Sequence, residues 1–114
     1  MLPAEKIQLQ NEQATALYRI LQESLTNIAR HAQARHVQIS LIQKGGLLVL
    51  EIQDDGKGFS LQERQWAGSL GIAGMRERAL AQGGSLEIVS RPGHGTSVRA
   101  RLPLFRSLSV GESS

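Results

Sequence analysis

Glu23, Asn27, Arg30 and His31 stand at helical spacing within the segment QESLTNIARH. On a helix advancing about 100° per residue they project from about one third of the circumference, beside an apolar stripe. A carboxylate, a neutral oxygen donor and a cation in that order can organise a divalent ion and phosphates. Hard Mg²⁺ takes oxygen ligands, and a guanidinium grips phosphate through paired N–H donors. Taken alone, the same set also describes a solvated helix face carrying an ion pair.

Two glycine-bearing segments follow. Asp54-Asp55-Gly56-Lys57-Gly58 closes an apolar run. Its glycines allow a ligand to approach the backbone, and Asp54 at a strand end can accept a hydrogen bond from an exocyclic amine. By itself Asp-Gly is also an ordinary turn pair. Ser69 to Gly74 opens a helical pattern whose free N–H groups and positive dipole end attract phosphate oxygens, with Gly71 and Gly74 leaving room. A small-residue helix start packed on a sheet reads the same way. Gly93-His94-Gly95-Thr96 is either a plain hairpin turn or one that sets the Thr96 hydroxyl beside the ligand.

The elements that must position these groups follow from hydrophobic periodicity. Glu12 to about Ala34 reads as a helix with Leu17, Leu21, Leu25, Ile28 and Ala32 as its apolar stripe. His36 to Gln43 alternates as a strand, Lys44-Gly45-Gly46 turns, and Leu47 to Ile52 is a second strand, so the pair predicts a hairpin. Ser60 to Ala67 lacks a clean period and reads as a short mobile lid. Leu70 to Gln82 is a second helix, apolar at Ile72, Met75, Ala79 and Leu80 and stopped by Gly83-Gly84. Leu86 to Ser90 and Ser97 to Leu102 are further strands, the last ended by Pro103. A short strand around Lys6 to Leu9 and a disordered tail from Ser107 to Ser114 complete the reading. This order predicts an α+β fold: a two-layer α/β sandwich whose mixed, mostly antiparallel sheet carries helices on one face. Residues 1–106 are then one domain and 107–114 a flexible tail.

Composition sets the bounds. A chain of 114 residues supports one core, and 40% hydrophobic with 20% charged residues is ordinary for a globular protein. No apolar run approaches the roughly 18 residues a membrane span needs, and zero cysteines exclude disulfides and thiolate metal sites. A cytoplasmic setting without membrane contact by this domain is the expectation. The net charge of +3 suits a protein that holds a polyphosphate. The basic residues are scattered, and one Trp, one Tyr and two Phe offer little surface for base stacking, so direct nucleic-acid contact is not expected.

Taken jointly, QESLTNIARHAQA, DDGKGF, SLGIAGMRERA and GHGTSVRARLP resemble the N, G1, G2 and terminal Gly-Thr boxes of the ATP-binding catalytic domain of two-component sensor histidine kinases. The strings ALYRILQESLTN and MRERA resemble the subfamily that acts on LuxR-type response regulators, and the likeness runs from about Ala16 to Leu104. It implies the Bergerat, or GHKL, fold shared with the ATPase domains of DNA gyrase and MutL, and ATP and Mg²⁺ as cofactors. By position, Asn27 resembles the asparagine that coordinates Mg²⁺, and Arg30 the basic residue that contacts phosphate. Glu23 stands where GHKL ATPases carry a carboxylate base, which also places it near the metal, and His31 lies at the phosphate edge. Asp54 matches the aspartate that binds the adenine amine, with Gly56 and Gly58 shaping that wall. Gly71, with the Leu70 and Ile72 backbone, matches the G2 turn, and Thr96 matches the threonine near the adenine end.

Ser69 departs from the family pattern, where a further glycine is common, and the segment between Phe59 and Leu70 is brief, with no separate F box. The family phosphorylates a histidine followed by an acidic residue on a dimerisation helix, and none of His31, His36 and His94 has that setting. His36 and His94 read as surface residues. The resemblance therefore implies the catalytic domain of a longer kinase. Its partners are its own dimerisation domain, in a homodimer, and a LuxR-type response regulator. Rival readings are an anti-sigma-factor serine kinase or small ATPase of the same fold, and a non-catalytic nucleotide- or nucleic-acid-binding module.

Overall fold

The first helix changes pitch before it ends, and that change builds one wall of the site. In the computed structural model, which describes residues 11–59 and 70–104, α1 spans Asn11–Asn27 and continues as a π-helical turn over Ile28–Ala32. Gln33 then stops it in the left-handed conformation, φ 53°. The helix expected to reach Ala34 thus ends at Ala32. Its buried face is Gln13, Ala16, Leu17, Ile20 and Ser24, whereas Leu25 is 37% exposed. Of the expected stripe, Leu17 and Ala32 are buried and Leu21 and Ile28 pack partly buried against the core, so Leu25 is its one outward-facing member; Gln13, Ala16, Ile20 and Ser24 complete the buried face beside it.

The four described strands form one sheet. β1 (Val37–Lys44) and β2 (Leu47–Asp54) are the expected hairpin, joined through Gly45 and Gly46 at φ 58° and 78°. β3 (Ser85–Ser90) and β4 (Thr96–Pro103) complete the order β1-β2-β4-β3. Every neighbouring pair is antiparallel, so the mixing expected from the sequence is not present among the described strands. Period-two alternation sends Leu48, Leu50, Ile52, Val98, Ala100 and Leu102 to the helix-covered face. The other face carries Glu51, Arg99 and Glu87 in one cross-strand row, with Arg99 Nη2 2.6 Å from Glu51. A charged row of that kind explains why the described helices cover the other face.

α2 (Ile72–Ala81) buries Ile72, Met75 and Ala79 against the sheet and α1. Leu80, expected among its apolar contacts, is 66% exposed, because it lies about 100° around the helix from its buried neighbour Ala79. Gly83 N–H donates to Leu80 O and Gly84 N–H to Ala79 O, both at 2.9 Å, which ends the helix as its glycines suggested. The expected lid, the short strand near Lys6 and the tail lie outside the described residues. No described helix is long and apolar enough to cross a membrane.

Candidate functional site

A cleft opens where the π-helical turn, the ends of β2 and β4 and the start of α2 meet. Ser24, Asn27, Ile28 and His31 form one wall, and Leu70, Ile72 and Met75 another. Ile52, Ile88 and Val98 supply an apolar floor, and Asp54, Lys57, Gly58, Phe59 and Thr96 a more polar rim. An apolar slot with a few convergent polar groups suits a flat ring whose edge carries hydrogen-bonding atoms.

Strand register builds the polar end. Asp54 pairs across to Thr96, and Thr96 across to Ser90, so three polar side chains stand in one row over β2, β4 and β3. Asp54 Oδ1 accepts the Gly56 N–H at 2.8 Å, while its second oxygen accepts no hydrogen bond among the described residues. Ser90 Oγ, almost fully buried, accepts the Phe59 N–H at 2.9 Å and lies 2.7 Å from Thr96 Oγ1.

The helix wall is tied to the entry of α2. Asn27 Nδ2 donates to Leu70 O at 2.8 Å. Because a carbonyl can only accept, the nitrogen of this amide must face Leu70, and its oxygen is left for another partner. Glu23 is half-buried beside Gly71 and does not line the cleft. Gly71 has φ 66°, the left-handed region that favours glycine; a Cβ there would stand 2.7 Å from Glu23 Oε2, the mobile end of a side chain that can shift to make room. No side chain among the described residues caps the start of α2, which leaves its first N–H groups for a ligand or solvent. Arg30 is exposed and off the cleft wall. A π-helical turn takes more residues per revolution than an α-helix, so positions after Asn27 rotate away from the projection the sequence implied.

The turn after β2 approaches other backbone rather than open space. Lys57 N–H donates to Ala32 O at 2.8 Å, and a Cβ on Gly56 would stand 2.2 Å from that same oxygen. Gly58, at φ 63°, faces Arg91 O at 2.1 Å from where a Cβ would be. Both glycines therefore let the turn lie between the π-helical turn and the β3–β4 connection.

Asp55 clips the same region from outside. Its Oδ1 accepts the N–H groups of Arg35 and His36 at 2.8 and 2.9 Å, and its Oδ2 lies 2.8 Å from His36 Nδ1. The His36 backbone N–H, then the His36 side chain and the Arg35 N–H, hold its carboxyl down from 3.8 to about 2. A folded-state value below the unfolded one stabilises the fold above about pH 4, and that contribution is lost as pH falls from about 4 to about 2. Urea midpoints of the wild-type chain and Asp55→Ala should therefore differ at pH 6 and converge toward pH 2. A difference independent of pH would remove this assignment.

The structure thus brings Asn27, His31, Asp54, Gly58, Leu70, Ile72 and Thr96 to one cleft, with Gly56, Gly71 and Glu23 behind its walls and Arg30 outside. Ser24, Lys57 and Ser90 were not anticipated. Ser90 was accessible in principle as the last inward position of β3, but its place opposite Thr96 depends on register. Ser24 Oγ contacts Met75 Sδ at 3.6 Å, a long-range packing contact with no local sequence signal.

The family model described as Histidine kinase-, DNA gyrase B-, and HSP90-like ATPase matches residues 12–106. The chain belongs to this family. Sensor protein VraS of Staphylococcus aureus (strain COL) is 43% identical over 96 residues, covering 84% of this chain and 27% of VraS. The chain thus spans about a quarter of that relative. The histidine kinase domain of the blue-light activated kinase from Erythrobacter litoralis EL346 superposes with a TM-score of 0.75 at 26% identity, over 90% of this chain and 53% of that one. The ATP binding domain of PrrB from Mycobacterium tuberculosis gives 0.67 at 26% identity, over 81% and 69%. The expected ATP-binding domain of the histidine kinase type, with its α+β fold, is what these likenesses support. This ATPase domain carries its cleft at the sheet end where its α1 unwinds into the π-helical turn.

Proposed function

We propose that this ATP-binding domain holds ATP with Mg²⁺ and transfers the γ-phosphoryl group to a histidine on a dimerisation domain, for relay to a LuxR-type response regulator. The observation that carries the reading is the convergence of Asn27, Asp54, Leu70 and Thr96, from four separate segments, on one apolar cleft. Asp54 accepts the adenine amine through the oxygen that Gly56 does not use, and Ile52, Ile88 and Val98 lie under the ring. The triphosphate runs toward Asn27, His31 and the start of α2, whose N–H groups face it. Lys57, exposed on the cleft rim, adds positive charge there, while Arg30 stands outside the cleft.

The donor set fits a nucleotide-borne Mg²⁺. Among the described residues no three His, Cys, Asp or Glu side chains converge on a metal position, so a divalent ion held here would come with the nucleotide and take most of its ligands from phosphate and water. The Asn27 oxygen, turned by the bond from Nδ2 to Leu70, is the protein ligand of the right kind. Held there, Mg²⁺ would supply neutralisation of phosphate charge; the chain itself orients the nucleotide and excludes water along the apolar floor. Glu23 orients the incoming histidine or accepts its proton.

Asn27→Ala should leave a folded domain, about 1 kcal/mol less stable for the lost bond to Leu70 O, and reduce the affinity gained from Mg²⁺ by about tenfold. Nucleotide titrations with Mg²⁺ and with chelator measure this directly. The transfer step is tested by mixing the chain with a separately made dimerisation domain of a LuxR-paired kinase and γ-labelled ATP. Label on a histidine supports the proposal; label on a serine, or steady hydrolysis by the chain alone, would favour the anti-sigma-factor kinase or ATPase reading.

A further inference from the structure

The row Asp54–Thr96–Ser90 contains a hydrogen-bonding choice that decides what the cleft reads. Among the described residues Ser90 Oγ has three polar neighbours: the Phe59 N–H at 2.9 Å, Gly95 O at 3.3 Å and Thr96 Oγ1 at 2.7 Å. The amide can only donate and the carbonyl can only accept; the Thr96 hydroxyl can do either. Ser90 has one proton to place. Hydroxyl hydrogen bonds centre near 2.7–2.8 Å, so Thr96 Oγ1 is the well-placed acceptor and Gly95 O the poor one. Once Thr96 accepts from Ser90, its own proton must point elsewhere, and Thr96 lines the cleft.

We propose that Ser90 is a positioning residue for base selection: its buried hydroxyl donates to Thr96 Oγ1 and so turns the Thr96 proton into the cleft beside the Asp54 carboxylate. The proposal rests on the nucleotide reading above. An acceptor at Asp54 beside a donor at Thr96 complements the edge of adenine, which offers an amine proton next to the N1 lone pair. A 6-oxo purine offers the reverse, a carbonyl oxygen next to an N1–H, and would meet acceptor with acceptor and donor with donor. A site that leaves polar groups unpaired against the wrong ligand discriminates far more strongly than one that differs only in shape. Ser90 touches no ligand in this scheme; it removes the freedom of Thr96 to present a lone pair instead.

The roles of the neighbours support this assignment. The Phe59 N–H occupies one Ser90 lone pair, and among the described residues the acceptors within reach of the serine proton are Thr96 Oγ1 and the more distant Gly95 O. Ser90 is 8% exposed, which keeps water from competing for that proton. Cross-strand pairing holds Asp54, Thr96 and Ser90 at one level of the sheet, so the donor and acceptor stand side by side rather than at different depths.

The test is the ratio of affinities for ADP and IDP, measured by calorimetry on the wild-type chain and Ser90→Ala. Loss of the serine should weaken ADP, leave IDP nearly unchanged and reduce the ratio about tenfold, since Thr96 can then turn either way. A purely structural role would weaken both nucleotides in parallel, and an unchanged ratio would overturn the proposal. Should Ser90→Ala fail to fold, the diphosphate of 1-deazaadenosine, which lacks the N1 acceptor, tests the wild-type chain. Weaker binding than ADP by about tenfold supports a donor at Thr96, and equal binding overturns it. Wild-type protein that binds neither ADP nor IDP would overturn the nucleotide reading itself, and this proposal with it.

Discussion

Replacing Asp54 by Asn is expected to lower ADP affinity by on the order of 100-fold while leaving the domain folded. The substitution preserves an oxygen for the Gly56 N–H, the one hydrogen bond Asp54 accepts among the described residues. It converts the other oxygen into an NH₂ group that faces the purine amine, donor against donor. Losing a hydrogen bond to a charged acceptor costs about 1.5–3 kcal/mol, and about 2.7 kcal/mol corresponds to 100-fold. Asp54→Ala is a less clean probe because it also releases the Gly56 N–H. Calorimetric titration paired with thermal unfolding separates the two effects. Unchanged ADP affinity in folded Asp54→Asn would take the adenine amine away from this residue.

Gly58→Ala should be among the most damaging single methyls in the described structure, together with Gly95→Ala, whose added carbon would stand 2.1 Å from Asp54 O at φ 74°. The new Cβ at Gly58 would stand 2.1 Å from Arg91 O and 2.9 Å from Gly95 O, both backbone atoms that cannot step aside, and φ is 63°. Left-handed backbone alone costs about 1–2 kcal/mol for a residue with a Cβ. The forced separation of the two turns brings the expected loss to roughly 4 kcal/mol, against a total of about 5–15 kcal/mol for a typical domain. Gly93→Ala is the control. Its φ is 82° but nothing lies within 4 Å of the added carbon, so only the backbone cost applies. A thermal midpoint lowered by more than about 10 °C in Gly58→Ala, with a much smaller drop in Gly93→Ala, is the expected result. Equal drops would show that crowding against Arg91 contributes nothing.

Much of this was legible in the chain because local rules set it. The Gly45-Gly46 hairpin, the Gly83-Gly84 stop and the alternation of β2 and β4 follow from turn chemistry and period two, and each stands where those rules put it. For Asn27, Asp54 and Thr96 local rules left a plain helix face or turn equally open, and it was the joint resemblance of the four segments that marked them as site residues. What escaped depended on tertiary choices. The π-helical turn has no residue signature, yet it moves Arg30 off the wall and sets Ala32 O where Lys57 N–H meets it. Leu25 and Leu80 fit a helical period but face outward, because periodicity alone does not say which of two adjacent apolar lines meets the sheet. Ser90 owes its importance to a partner six residues away across a turn, and Glu23 to a glycine in another helix. Gly56 and Gly58 were read as room for a ligand; the structure uses them first as room for neighbouring backbone.

The central claim is that this cleft binds an adenine nucleotide in a Mg²⁺-dependent way. The most direct measurement is calorimetric titration of the folded chain with a non-hydrolysable ATP analogue, with Mg²⁺ and with chelator. Saturable one-to-one binding, tighter with Mg²⁺ and weakened by Asp54→Asn, is the expected result. No saturable binding by folded protein, or binding indifferent to both Mg²⁺ and Asp54, would contradict it.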